Sequence, residues 1–171
     1  MEFAEALRYL LSLGHETLAI KLGLKNISLL LAKLGNPQQS FRSVQIAGTN
    51  GKGSTAFMLE SICRAAEIKT GLFTSPHLIS ITERIRIDGM ELTPESFAKY
   101  ATRVRAAAET LLLDSEIEAL PSFFEQVTAI AMIAFDEAGI ELAILETGLG
   151  GRLDATTAVG AEIVGITPIS M

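Results

Sequence analysis

One eight-residue segment constrains this chain more than any other: Gly48-Thr49-Asn50-Gly51-Lys52-Gly53-Ser54-Thr55. A short β-type run, Ser43 to Ala47, leads into it. Residues from Ser54 to Ala66 follow with helical spacing, Phe57, Leu59, Ile62 and Ala65 being apolar and Glu60 and Arg64 polar. Strand, glycine loop and helix in that order make a cradle for an anion. The glycines let the backbone turn its N–H groups inward around phosphate oxygens, and the helix adds its positive N-terminal end. Lys52 can reach the outer phosphates as a point charge, and Ser54 or Thr55 can hydrogen-bond phosphate or ligate Mg²⁺. The segment departs from the common P-loop: only two residues separate Gly48 from Gly51, and Gly53 stands where Ser or Thr normally follows the lysine. The competing reading is a glycine-rich turn with a solvated lysine.

The rest of the chain alternates strands with helices. Residues 3–12 and 26–34 read as short helices, the second stopped by Gly35-Asn36-Pro37. Thr70 to Thr74 reads as a second strand, and Thr74 to Thr82 as a loop held by Pro76. Arg84 to Ile87 alternates charged and apolar residues before an Asp88-Gly89 turn. Thr93-Pro94-Glu95-Ser96 starts a helix with Thr as N-cap and Pro at the first helical position; it runs to about Leu113. Phe123 to Ala138 is another helix, stopped by Gly139. Glu141 to Leu145 is a buried strand leading to a second glycine loop, Gly148 to Gly151, and Ala161 to Thr167 is the last strand. The pattern predicts an α/β fold, a mostly parallel sheet with helices on both faces. Ligands in such sheets sit at the carboxyl ends of strands, so both glycine loops are expected on one edge.

Three further segments carry chemistry. In Glu146-Thr147-Gly148-Leu149-Gly150-Gly151-Arg152-Leu153-Asp154, Glu146 closes an apolar strand, where a carboxylate beside a phosphate loop can hold Mg²⁺ directly or through water. Arg152 and Asp154 either serve substrate charge or pair with each other. In Thr74-Ser75-Pro76-His77-Leu78, Ser75 offers a neutral oxygen to Mg²⁺, while His77 reads as a ligand, a substrate contact or a turn residue. In Pro121-Ser122-Phe123-Phe124-Glu125, two aromatics at a helix start can make a platform for a flat ring or belong to the core. No function attaches to His15 or Cys63, no Cys/His cluster has zinc spacing, and nothing points to a Ser-His-Asp triad.

Composition narrows the classes. A chain of 171 residues, 49% apolar and 20% charged, fits one globular domain. A net charge of −6 disfavours nucleic acid as the main partner, because phosphodiester binding wants a basic face. One cysteine allows no internal disulfide. The acidic start, Met1-Glu2-Phe3-Ala4-Glu5, is not a secretory signal, and no apolar run is long enough to span a membrane. A cytoplasmic location is expected.

In order and spacing these segments, together with Leu22-Gly23-Leu24 and Glu83-Arg84-Ile85, resemble the folylpolyglutamate synthase and dihydrofolate synthase family within the Mur ligase superfamily. The first glycine loop alone fits any Mur-type ligase; Thr74 to Leu78 and Leu149 to Asp154 favour the folate branch. The resemblance implies a P-loop-like ATP-binding domain, and a ligase in which ATP phosphorylates a pteroate or glutamate carboxylate before L-glutamate attacks the acyl phosphate. It implies ATP and Mg²⁺ as cofactors and small-molecule substrates, with no nucleic acid or membrane partner, in a monomeric enzyme. It implies phosphate contacts from Thr49, Asn50, Gly51, Lys52, Gly53, Ser54 and Thr55, metal ligation by Ser75 and Glu146, and catalytic roles for Lys52 and Glu146. Leu22, Gly23, Leu24, His77, Ser122, Phe123, Phe124, Arg152, Leu153 and Asp154 become substrate-side residues. Family members run to roughly two or three times this length. The chain is therefore expected to be the N-terminal ATP-binding part, cut short at Ile169-Ser170-Met171 before a further histidine metal ligand, a modified lysine and a glutamate-binding C-terminal domain. The alternatives are another Mur-type amide ligase and a nucleotide-binding module without catalysis.

Overall fold

A computed structural model describes residues 1–14 and 23–170, so Leu22 and His15 lie outside the described residues. The elements are α1 (Phe3–Ser12), α2 (Lys25–Lys33), β1 (Arg42–Ala47), α3 (Lys52–Ala65), β2 (Thr70–Phe73), β3 (Ile85–Ile87), β4 (Met90–Glu91), α4 (Pro94–Leu113), α5 (Phe123–Ala138), β5 (Leu142–Glu146) and β6 (Ile163–Ile166). Short 3₁₀ turns cover Pro37–Gln39, Ile81–Arg84 and Ala155–Val159.

Local chemistry sets most boundaries. Thr93 Oγ1 accepts the Ser96 N–H at 3.2 Å and Pro94 opens α4, where a missing N–H costs nothing. Ser122 and Glu125 form a reciprocal capping box on α5, and Gly139 closes that helix in the left-handed region at φ 61°. Ser80 and Glu83 make a second capping box on the Ile81–Arg84 turn, which begins within the predicted Thr74–Thr82 loop. The Arg84–Ile87 alternation becomes β3, which turns at Asp88-Gly89 into the two-residue β4.

The strands form one sheet in the order β4-β3-β2-β5-β1-β6. β1, β2, β5 and β6 run parallel, while β3 and β4 add an antiparallel edge. Alternation assigns the faces. Val44, Ile46, Leu72 and Ile144 meet Ala56 of α3 on one face. The other face carries the larger core, where α5 lies on the sheet beside Phe73, Ala143 and Leu145, α4 packs outside it against α5, and α1 and α2 pack against both. The α/β fold with helices on both faces is therefore as the pattern predicts. Glu60 of α3 is buried and accepts the Thr70 hydroxyl at 3.0 Å and Arg64 Nε at 3.1 Å, tying α3 to the start of β2. β6 is an edge strand with Ile163, Val164 and Ile166 exposed. No helix among the described residues is long and apolar enough to cross a membrane.

Gly71 shows how closely α5 is laid on the sheet. A Cβ there would stand 2.7 Å from both the Phe135 ring and Ile140 Cδ1. Gly71→Ala is expected to cost about 1–3 kcal/mol of unfolding free energy by overpacking, read by urea denaturation; a cost below about 0.5 kcal/mol would contradict this packing.

Candidate functional site

The four parallel strands deliver their carboxyl ends to one edge. β1 runs into the first glycine loop, β2 into Thr74-Ser75, β5 into Glu146 and the second glycine loop, and β6 into Thr167–Ser170. Because β5 lies between β1 and β2, Glu146 falls between the first loop and Ser75.

The first loop is shaped for an anion. Gly51 caps α3 at φ 80°, a conformation glycine takes without a Cβ penalty, and it has no side chain to accept the helix's leading amides. The Thr55 N–H already bonds the Gly51 carbonyl at 2.9 Å and the Gly53 N–H bonds the Glu146 carboxylate, which leaves the amides of Lys52 and Ser54 in the first turn. Lys52 Nζ folds back over the loop to the Thr49 carbonyl at 3.4 Å. Thr49 and Asn50 are placed differently. Both amides donate to the Pro168 carbonyl, at 3.1 and 3.3 Å; Asn50 Nδ2 donates to Ser170 Oγ at 3.0 Å, and Thr49 Oγ1 accepts the Ser170 N–H. These two residues strap the loop to the segment after β6. Gly48 permits that approach, since a Cβ would stand 2.1 Å from Thr167 Oγ1.

Glu146 is 4% exposed, and its Oε2 accepts the Ser75 N–H at 3.0 Å. The same oxygen would lie 3.3 Å from a Cβ at Gly53. This explains the departure from the P-loop pattern: a larger residue at 53 would crowd the carboxylate. Burial pushes the Glu146 carboxyl above the ordinary carboxylate range, while the Ser75 amide, the Lys52 charge, the Gly53 amide and the Arg84 charge pull it back. Among the described residues no group of three or more His, Cys, Asp or Glu side chains could hold a metal ion. A carboxylate beside a hydroxyl still suits Mg²⁺, which takes one or two carboxylates and completes its shell with phosphate and water oxygens.

Asp154 is turned inward. Oδ2 accepts the amides of Gly148 and Leu149, each at 2.9 Å, and Oδ1 accepts the Thr156 amide at 3.0 Å and its hydroxyl at 2.6 Å. It shapes the second glycine loop and forms no ion pair with Arg152, which stands exposed beside an exposed Leu153. A carboxylate two residues from an arginine reads as a salt bridge in sequence; here the unpaired loop amides win it.

The third and fourth segments meet through Arg84. Its Nε donates to His77 Nδ1 at 2.8 Å, and its guanidinium stacks over the Phe123 ring, 5.4 Å from the centroid. Phe123 is therefore core beneath a buried arginine, and not an open platform. Phe124 is half-buried, its centroid 5.7 Å from Phe73, and Gly148 lies so close that a Cβ would stand 2.8 Å from its Cζ. Ser122 caps α5. Glu83 accepts the amides of Leu78, Ser80 and Ile79, which hold its carboxyl below the ordinary range and leave Leu78 and Ile79 projecting at 91% and 94% exposure. Leu24 packs partly on the main core, and Gly23 sits at φ 154°. Sequence reasoning gave no role to Arg84 itself or to Gln45. The available signal for Gln45 was a buried amide interrupting the apolar run Val44-Gln45-Ile46.

No family model matches the chain. A Haloferax volcanii protein described as a probable bifunctional folylpolyglutamate synthase/dihydropteroate synthase is 39% identical over 172 aligned positions, covering 100% of this chain and 20% of that protein. The Mycobacterium tuberculosis folylpolyglutamate synthase complexed with ADP is similar at a TM-score of 0.91 and 37% identity, over 99% of this chain and 37% of that one. The Escherichia coli FolC structure in complex with DHPP and ADP gives a TM-score of 0.86 at 39% identity, over 100% of this chain and 39% of that one. The chain thus spans between 20% and 39% of the length of these relatives.

The raised Glu146 carboxyl sets a pH dependence. An acid held above its unfolded value binds its proton more tightly when folded, so its contribution is full below the unfolded value and is lost as pH rises through the folded one. Glu146→Gln is accordingly expected to melt higher than the parent chain at pH 7, the gap closing as pH falls below the ordinary carboxylate range. Calorimetry showing no gain at pH 7 would contradict the burial cost assigned to this carboxylate.

Proposed function

We propose, from the premise that this chain belongs to the folylpolyglutamate and dihydrofolate synthase family as its N-terminal part, that it supplies the nucleotide site of an ATP-dependent ligase joining L-glutamate to a folate-type acid. The observation that carries the reading is the meeting of Lys52, the open first turn of α3 and the buried Glu146 on one sheet edge. The complexes of the Mycobacterium tuberculosis relative with ADP, and of the Escherichia coli relative with DHPP and ADP, support the nucleotide and the acid. Nucleotide and metal binding are proposed for the chain itself. The ligase activity is proposed for a protein carrying the full length of these relatives, and a cytoplasmic setting belongs to the same reading.

The chemistry follows from charge. The γ-phosphoryl group and the attacking carboxylate are both anionic, so they approach only where cations and oriented dipoles offset their repulsion. The amides of Lys52 and Ser54 and the end of the α3 dipole receive the phosphates, with the Ser54 or Thr55 hydroxyl adding a further bond. Lys52 Nζ releases the Thr49 carbonyl and turns to the outer phosphate. Glu146 and Ser75 would hold Mg²⁺, which supplies charge neutralisation between phosphate oxygens. An oxygen of the acid's carboxylate attacks the γ-phosphorus, ADP leaves, and the resulting acyl phosphate is attacked at carbon by the amine of L-glutamate, with loss of phosphate and a proton. Leu24, Gly23, Phe124, His77, Arg152 and Leu153 are proposed for the acid's side of the edge, with Ser122, Phe123 and Asp154 acting behind it through the capping box, the Arg84 stack and the loop amides.

Lys52→Met is expected to weaken binding of Mg·ADP to the chain at least tenfold, about 1.4 kcal/mol or more, in isothermal titration calorimetry, with the melting temperature nearly unchanged because Lys52 lies on the surface. Equal affinity in parent and variant would remove the phosphate assignment.

A further inference from the structure

The second glycine loop hangs on a residue that neither the phosphate nor the metal assignment uses. Gln45 lies in the middle of β1, buried, on the sheet face opposite α3. Its amide nitrogen donates to Thr156 Oγ1 at 2.8 Å and to Thr157 Oγ1 at 2.9 Å. A hydroxyl that accepts a hydrogen bond still has one proton to give. Thr156 gives its proton to Asp154 Oδ1 at 2.6 Å, and Thr157 gives its own to the Gly151 carbonyl at 2.7 Å. Asp154 Oδ2 then accepts the Gly148 and Leu149 amides. One NH₂ group therefore fixes the donor direction of two hydroxyls, and through them both ends of the loop.

We propose that Gln45 is the positioning residue of the second glycine loop: from the strand that carries the phosphate loop it sets where Gly151, and with it Arg152 and Leu153, stand relative to Lys52. The part that assigns Arg152 and Leu153 to the acceptor acid rests on the proposed ligase reading; the hydrogen-bond chain does not. The amide is required for its polarity. Glutamate at 45 would have the same shape but, ionised, would only accept. Both threonine protons would turn toward it, leaving Asp154 and the Gly151 carbonyl without them. Methionine at 45 would remove the donors and leave the hydroxyls undirected. Buried chains of this kind hold one arrangement only while every member is satisfied.

The test is amide hydrogen exchange on the full chain, resolved residue by residue, with calorimetric binding of Mg·ADP and of folic acid on the same samples. In Gln45→Glu and in Gln45→Met the Gly148 and Leu149 amides are expected to exchange at least tenfold faster. The Thr55 amide, bonded within the first loop, is expected to keep its rate, and Mg·ADP affinity to stay within twofold. Folic acid affinity is expected to fall at least fivefold. Thr157→Val, which cuts only the Gly151 branch, is expected to leave Gly148 and Leu149 protected. Should Gln45→Glu fail to fold, Gln45→Met gives the same reading without the added charge. Unchanged exchange at Gly148 and Leu149, or acceleration spread evenly over β1 and β5, would overturn the proposal, as would unchanged folic acid affinity beside accelerated exchange. A parent chain that binds neither Mg·ADP nor folic acid would overturn the ligase reading, while the exchange rates still decide the role of Gln45 in the loop.

Discussion

The contact on which the rest of the site depends is the close approach of the Glu146 carboxylate to the first turn of α3. It exists because β5 is threaded between β1 and β2, all three parallel, so that a strand-end acid, a helix start and the Ser75 amide arrive together. Burial there costs the carboxylate part of its hydration, which is why its proton is held more tightly than in water. The residues around it look chosen for that cost. Gly53 leaves room for it, and Lys52 and the Ser75 amide lower it. A charge that the fold must work to keep ionised is well suited to a cation, and it stands where an anion cradle opens.

The two sheet faces differ in what they contribute. One helix, α3, covers its face and brings the positive helix end to the edge; on the other, α5 lies against the strands and α1, α2 and α4 build the larger core around it. On that thicker side the polar residues of the strands are not wasted. Gln45 joins β1 to the turn after the second loop, and Arg84 joins the His77 segment to the Phe123 ring. The second glycine loop is thus fixed from behind by a buried side chain, while the first is strapped from the front by Pro168 and Ser170.

Much of this was legible in the sequence wherever the cause was local. The Thr93-Pro94 start, the Ser122–Glu125 box and the Gly139 stop fixed α4 and α5 closely, and period-2 and helical spacing marked the strands and α3. The placement of both glycine loops on one edge followed from parallel topology. What was not legible depends on pairings far apart in the chain. Asp154 reads as either a substrate-facing or a salt-bridge acid until Gln45, 111 residues from Thr156, is seen to direct the hydroxyl beneath it. Phe123 reads as either ring platform or core until Arg84 is seen to cover it. The resemblance implies phosphate contacts from Thr49 and Asn50; that their amides go to Pro168 follows from the register of β6 against β1, which no local pattern displays.

The central claim is that Glu146 and the α3 start form one site for a nucleotide and its metal. The most direct measurement is ADP affinity of the chain with and without Mg²⁺, for the parent and for Glu146→Gln. The account predicts that Mg²⁺ strengthens ADP binding to the parent chain severalfold and does nothing for Glu146→Gln, which keeps the metal-free affinity because Lys52 and the helix amides are untouched. An equal Mg²⁺ effect in both proteins would contradict it.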